Sequence, residues 1–103
     1  MPKIKVNENI YNGVKEHHTQ YFYFCKGCGY EHCFALKNKG GHHDFNMDLE
    51  NPTISPSLLQ NFSPDRICHS FIKNGMIKYL GDCWHELRGQ TIELPDIIIN
   101  TTT

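Results

Sequence analysis

The stretch "CHSFIKNGMIKYLGDCWHE", residues 68–86, decides how this chain folds. Two runs that suit a pleated strand flank Asn74-Gly75, the dipeptide that a two-residue type I′ turn favours because both of its central positions need positive φ. The turn sets a register in which Lys73 faces Met76, Ile72 faces Ile77, Phe71 faces Lys78 and Ser70 faces Tyr79, with Cys68 falling opposite Gly81. Side chains alternate along a strand. One face of this hairpin therefore carries Cys68, Ser70, Ile72, Ile77 and Tyr79. The other carries His69, Phe71, Lys73, Met76, Lys78 and Leu80, so Cys68 and His69 point apart. Beyond Gly81 the chain returns Cys83 and His85 toward the Cys68 side. Asp82 is placed to cap one helical turn, "CWHELR", that Gly89 would stop.

Upstream, "QYFYFC" and "YEHCFAL" read as two further strands, rich in aromatic residues and joined by a turn carrying "CKGC", residues 25–28. A tetrahedral zinc site needs four nitrogen or sulfur donors, and a CxxC knuckle delivers two of them on one tight turn. Gly27 and Gly29 relieve crowding there. Cys25 and Cys28 thus supply half of a Zn2+ site, and the downstream hairpin supplies Cys68 with either Cys83 or His85. Cys33, beyond the knuckle, reads as core, as do the aromatic residues, Phe62, Phe71 and Trp84 among them. His17-His18 and His42-His43 read as solvated loop residues, and His69 as a packing or polar-network residue.

The rest of the chain sets limits. At 103 residues and 39% hydrophobic it suits one domain, 1–103, in which the ends, 1–16 and 97–103, carry the weakest structural signals. A turn at "YNG" and a short strand at "KIKV" are the readable features of the N-terminal part. "NPTISPS" contains two prolines and allows at most a short edge strand, and residues 36–66 read as mostly irregular. Formal charge is -1, with ten basic residues scattered along the chain, so no polyelectrolyte partner is implied. Nothing reads as a signal peptide or membrane span, which leads to an expected location in the cytoplasm of a bacterial cell. There the five cysteines stay reduced and serve as ligands or core residues. The expected fold is mainly β, a small hairpin-rich, zinc-ribbon-like domain with one or two short helical turns.

"CKGCGYEH", "NPTISPSLL" and "CHSFIKNGMIKYLGDCWHELRGQTIELPD" resemble a family of short phage and prophage proteins catalogued as a domain of unknown function (DUF6527), some of whose members are labelled "ammonia monooxygenase". The resemblance spans about residues 21–96. It implies that Cys25, Cys28, Cys68 and His85 are characteristic positions and that Cys83 is a variable one, which favours His85 as fourth ligand. At Phe45 the chain departs from a tryptophan usual in that family. The resemblance implies a viral origin and no activity.

Three functions follow in order. The first is a zinc-stabilised binding module, a phage or prophage accessory protein that contacts a host or phage protein through a closed metal site. Second stands a metal-dependent hydrolase-like enzyme, drawing on His69, His32, Glu31, Asp82, His85 or Glu86; no HExxH or zinc-deaminase spacing is present, and catalytic residues are unassigned. The third is a nucleic-acid-binding zinc ribbon, disfavoured by the scattered charge.

Overall fold

The computed structural model describes residues 2–11, 14–37 and 41–97. They form eight strands: β1 (Lys5–Tyr11), β2 (Val14–Cys25), β3 (Tyr30–Phe34), β4 (Asp44–Phe45), β5 (Ile54–Asn61), β6 (Ile67–Lys73), β7 (Met76–Tyr79) and β8 (Thr91–Glu93). These make two antiparallel sheets, β1-β2-β3 and β4-β5-β6-β7-β8. The mainly β expectation holds at that level. Among the described residues no helix is long and apolar enough to cross a membrane.

The turn chemistry of Asn74-Gly75 acts as anticipated. Both residues have positive φ, 51° and 78°, and the β6–β7 register pairs Ser70 with Tyr79, Phe71 with Lys78, Ile72 with Ile77 and Lys73 with Met76. Cys68, Ser70, Ile72, Ile77 and Tyr79 are accordingly buried, while Phe71, Lys73, Met76 and Lys78 are exposed. The buried set packs with Tyr21, Tyr23, Cys25 and Phe34 from the first sheet and with Ile4, Ile54, Leu58 and Leu94. Removing such aliphatic and aromatic side chains from water supplies the main favourable term, about 1.5–3 kcal/mol for each fully buried one. Lys3 ties the start of the chain to the segment after β8: its ammonium donates to the Leu94 carbonyl at 2.8 Å and pairs with Asp96 at 2.8 Å and Glu93 at 3.0 Å.

Two expectations from the sequence need correction. The segment "ISPSLLQN" is no short edge strand: β5 runs eight residues and lies between β4 and β6. It accommodates Pro56 through a bulge, since Ile54 pairs with Ile72 and Leu58 with Ser70, so that four steps along β5 match two along β6. The unpaired residues of a bulge leave the ladder, which removes the demand for a proline N–H. The second correction is that "CWHELR" forms no helix; isolated turns close there instead, Arg88 N–H to His85 O at 3.2 Å and Gln90 N–H to Leu87 O at 3.0 Å. The first donors of the expected helix go elsewhere. Trp84 N–H bonds the Ile67 carbonyl at 2.9 Å, and the Asp82 carboxylate is taken by His69. Asn12-Gly13 of the "YNG" turn and the "NTTT" tail lie outside the described residues.

Replacing Gly75 by alanine tests the turn. At φ 78°, with a would-be Cβ 3.3 Å from Asn51 Oδ1, it should cost about 1–2 kcal/mol and several degrees of Tm. An unchanged thermal midpoint would show that this turn does not hold the register.

Candidate active site and thiol cluster

Alternation along β6 sends Cys68 into the core and its neighbour His69 to the outer face of the second sheet. Three elements converge on His69. The bulge in β5 swings Ser57 toward it, and Ser57 Oγ stands 2.9 Å from His69 Nε2. Where the chain leaves β7, Asp82 comes alongside, and its Oδ2 lies 3.1 Å from His69 Nδ1. A carboxylate can only accept, so Nδ1 carries the ring proton and donates it to Asp82. That leaves the Nε2 lone pair to accept from the Ser57 hydroxyl. A hydroxyl on an imidazole whose other nitrogen is held by a carboxylate is the arrangement that activates serine as a nucleophile. The chain order Ser57, His69, Asp82 matches none of the familiar triad orders, but such a triad is defined by geometry and role.

Backbone contacts fix the parts. His43 Nε2 donates to the Ser57 carbonyl at 3.2 Å, so this histidine, read from sequence as a solvated loop residue, anchors the strand that carries Ser57. Cys83 brackets His69 from below: its sulfur accepts from His69 N–H at 3.2 Å and donates to His69 C=O at 3.0 Å. Leu80 N–H reaches the same carbonyl at 2.9 Å. The His69 side chain is 25% exposed and that of Asp82 53%, which leaves the site open to substrate.

On the opposite face of β6 lies the thiol cluster. β2 ends at Cys25, and the turn back to β3 closes with Gly29 N–H on the Cys25 carbonyl at 2.8 Å, placing Cys28 N–H 3.3 Å from the Cys25 sulfur. Cys25 Sγ is 3.7 Å from Cys68 Sγ and 3.3 Å from the Tyr79 hydroxyl; Cys68 Sγ is 3.5 Å from His85 Nε2. Trp84 Nε1–H donates to Cys28 Sγ at 3.3 Å, and Arg66 lies over the Trp84 ring. The hydrogen bond from Cys68 holds the Cys25 thiol well down, at about 3, and the same bond pushes Cys68 up: the two sulfurs share one proton. Burial, and then the Cys25 sulfur, raise Tyr79, which stays protonated and donates to Cys25. All five cysteines are free thiols.

The donor atoms of Cys25, Cys28, His32 and Cys68 lie within 4.8 Å of one another, and those of Cys68, Cys83 and His85 form a second such group. These are possible metal-binding groups. Of the residues nominated from sequence, Cys25, Cys28 and Cys68 come together in one group, while His85 and Cys83 group with Cys68 and with each other. His32, named from sequence among the groups open to a hydrolase-like enzyme, is buried with Nε2 unpartnered, as is Nδ1 of His85. A side chain at Gly27 would overlap the His85 ring, so the imidazole packs directly on the knuckle. Cys33 is exposed rather than core, and Phe62, Phe71 and Trp84 are exposed as well. The Ser57 role was missed altogether. The hairpin register already set His69 apart from the cysteines and beside the turn of Asp82, but the bulge that delivers Ser57 leaves no periodic signal.

Among comparisons with known proteins, the family model for "BubE: Bacterial ubiquitination-like system serine protease (BubE)" matches residues 1–80. No curated protein and no solved structure matches the chain. The match corrects the resemblance to the DUF6527 phage family, and with it the expectation of a phage or prophage accessory binding module. Membership in a ubiquitination-like system implies protein partners. With most of its length matched, the chain belongs to the BubE family of bacterial ubiquitination-like system serine proteases.

Proposed function

We propose that this protein is a serine protease acting on proteins of a ubiquitination-like system, with Ser57 as nucleophile, His69 as general base and acid, and Asp82 as the group that orients His69. The observation that carries this reading is the bridging of Ser57 and Asp82 by one imidazole, at 2.9 and 3.1 Å. In the first step His69 Nε2 takes the Ser57 proton while Oγ attacks the carbonyl carbon of an amide, forming a tetrahedral intermediate. The imidazolium, held by Asp82, then passes that proton to the leaving amine, and the C–N bond breaks to give an acyl-serine. Water, deprotonated by the same nitrogen, releases the acid and restores the hydroxyl. Either an α-amine or a lysine ε-amine satisfies this chemistry, so the triad serves a precursor bond and a conjugate bond equally.

We further propose that the thiol cluster holds a structural Zn2+ through Cys25, Cys28, Cys68 and His85, within a zinc-ribbon-like pairing of knuckle and hairpin. With Zn–S near 2.3 Å and Zn–N near 2.0 Å, a tetrahedron has edges of about 3.8 Å between sulfurs and about 3.5 Å between sulfur and nitrogen. The Cys25–Cys68 and Cys68–His85 separations, 3.7 and 3.5 Å, fit those edges. His32 is the competing fourth donor, since it groups with all three thiols. Cys83 is committed to the His69 backbone on both sides of its sulfur. The cluster is buried beneath the sheet, away from the triad's open face, which supports a role in folding rather than in catalysis. Structural zinc contributes about 10–16 kcal/mol in finger peptides at neutral pH, and a small domain gains much from that.

Two measurements test these assignments. A fluorophosphonate probe should label the purified protein at one residue and fail to label Ser57→Ala; Ser57→Ala and His69→Ala should each lower kcat by roughly 10⁴-fold or more, and Asp82→Asn by about 10⁴-fold. Labelling that survives in Ser57→Ala would remove the triad reading. For the metal, elemental analysis should find one equivalent of zinc, lost in Cys68→Ser and His85→Ala but retained in His32→Ala and Cys83→Ser. Zinc retained in His85→Ala and lost in His32→Ala would transfer the fourth position to His32.

A further inference from the structure

The outer face of the second sheet carries more than the triad. Two residues beyond His69 on β6, about 7 Å along the strand, the side chain of Phe71 projects from the same face and is 46% exposed. Its cross-strand partner is Lys78, and the next pair is Lys73 with Met76, the latter 40% exposed. On β5, Ser55 lies two residues before Ser57. Between these strands runs an apolar groove of about 510 Å³ lined by Thr53, Ile54, Ser55, Phe71, Met76 and Lys78 among others. That volume falls within the range of about 300–1,000 Å³ usual for ligand sites.

A phenylalanine and a methionine left in solvent contribute nothing to the core, which β6 and β7 bury on their other face through Ile72, Ile77 and Tyr79. Neither Lys73 nor Lys78 has an ion-pair partner among the described residues. Apolar walls with two unpaired ammonium groups at the rim match one kind of occupant: a chain with an apolar side chain to insert and carboxylates beside it. The groove shares β5 and β6 with the triad, its residues Ser55 and Phe71 standing two positions from Ser57 and His69, so an extended chain that continues from it along these strands approaches Ser57.

We propose that this groove is the substrate subsite of the protease, seating an extended acidic peptide segment whose apolar side chain packs against Phe71 and Met76 while Lys73 and Lys78 receive its carboxylates. The proposal rests on the assignment of Ser57, His69 and Asp82 as the catalytic triad. It names the substrate by chemistry: an aliphatic or aromatic residue within an acidic stretch, near the bond that is cut.

The test uses the full chain, fluorogenic peptide amides that differ in one position (leucine against asparagine) and in the neighbouring charges (aspartate against lysine), and p-nitrophenyl acetate as a substrate too small to reach the groove. The leucine-bearing acidic peptide should be the preferred one. Phe71→Ser and Met76→Ser should raise its KM by about tenfold or more, the scale on which an apolar pocket discriminates, with ester hydrolysis and fluorophosphonate labelling unchanged. Lys73→Glu with Lys78→Glu should reverse the preference toward the lysine-bearing peptide, and added salt should weaken the wild-type preference for acidic peptides. Equal KM values for wild type and variants, or a labelled wild-type protein that shows no preference within the series or cleaves none of it, would overturn the subsite. Absence of labelling and of ester turnover in the wild type would instead overturn the triad itself, and the subsite with it.

Discussion

Successive residues of a β-strand face opposite ways, and the geometry of both the proposed triad and the thiol cluster depends on that constraint at Cys68 and His69. One peptide unit of β6 presents a sulfur to the buried side and an imidazole to the open side. The strand is thus the shared wall between the thiol cluster and the candidate active site. Cys83 strengthens the wall by bonding both the N–H and the C=O of His69, so this histidine sits on a backbone with little freedom of its own. Neighbours on the other two elements act alike: His43 grips the carbonyl of Ser57, and Leu80 N–H adds to the hold on His69.

The division of labour explains why residue types that look interchangeable in sequence have different fates. Five cysteines and seven histidines invite a single large metal site. Burial separates them instead. Cys25, Cys28 and Cys68 converge, with His32 and His85 at their border; Cys83 serves the backbone; Cys33 lies in solvent. Among the described histidine side chains, His69 alone has a hydroxyl on one nitrogen and a carboxylate on the other.

Much of the second sheet was legible in the sequence, because Asn74-Gly75 specifies a turn and a turn specifies a register; from it the burial of Cys68, Ile72 and Tyr79 and the exposure of Lys73 and Lys78 follow by counting. The knuckle was legible for the same reason, its glycines marking a turn at fixed spacing from two thiols. What escaped was the part that breaks periodicity. Pro56 suggested that β5 could not run inside a sheet, whereas a bulge exempts it from the ladder and in so doing aims Ser57 at His69. Asp82 was read as a helix cap because that is the common local use of its carboxylate, but a side chain 13 residues back outcompeted the local backbone donors. Exposed Phe71 was assigned to the core by residue type alone, and only its place beside the triad gives its exposure a meaning.

The triad is also compact along the chain. Ser57 and His69 are 12 residues apart, and His69 and Asp82 are 13, whereas Cys25 and Cys68 are separated by 43. Loop-closure entropy grows with the logarithm of length, so uniting the two cysteines costs about 1 kcal/mol more than uniting serine and histidine. The three-strand meander β5-β6-β7 that carries the triad is consequently closed over shorter loops than the clasp between the sheets. The proposed triad is thus assembled from pairings close in sequence, whereas the clasp between the two sheets joins thiols far apart along the chain.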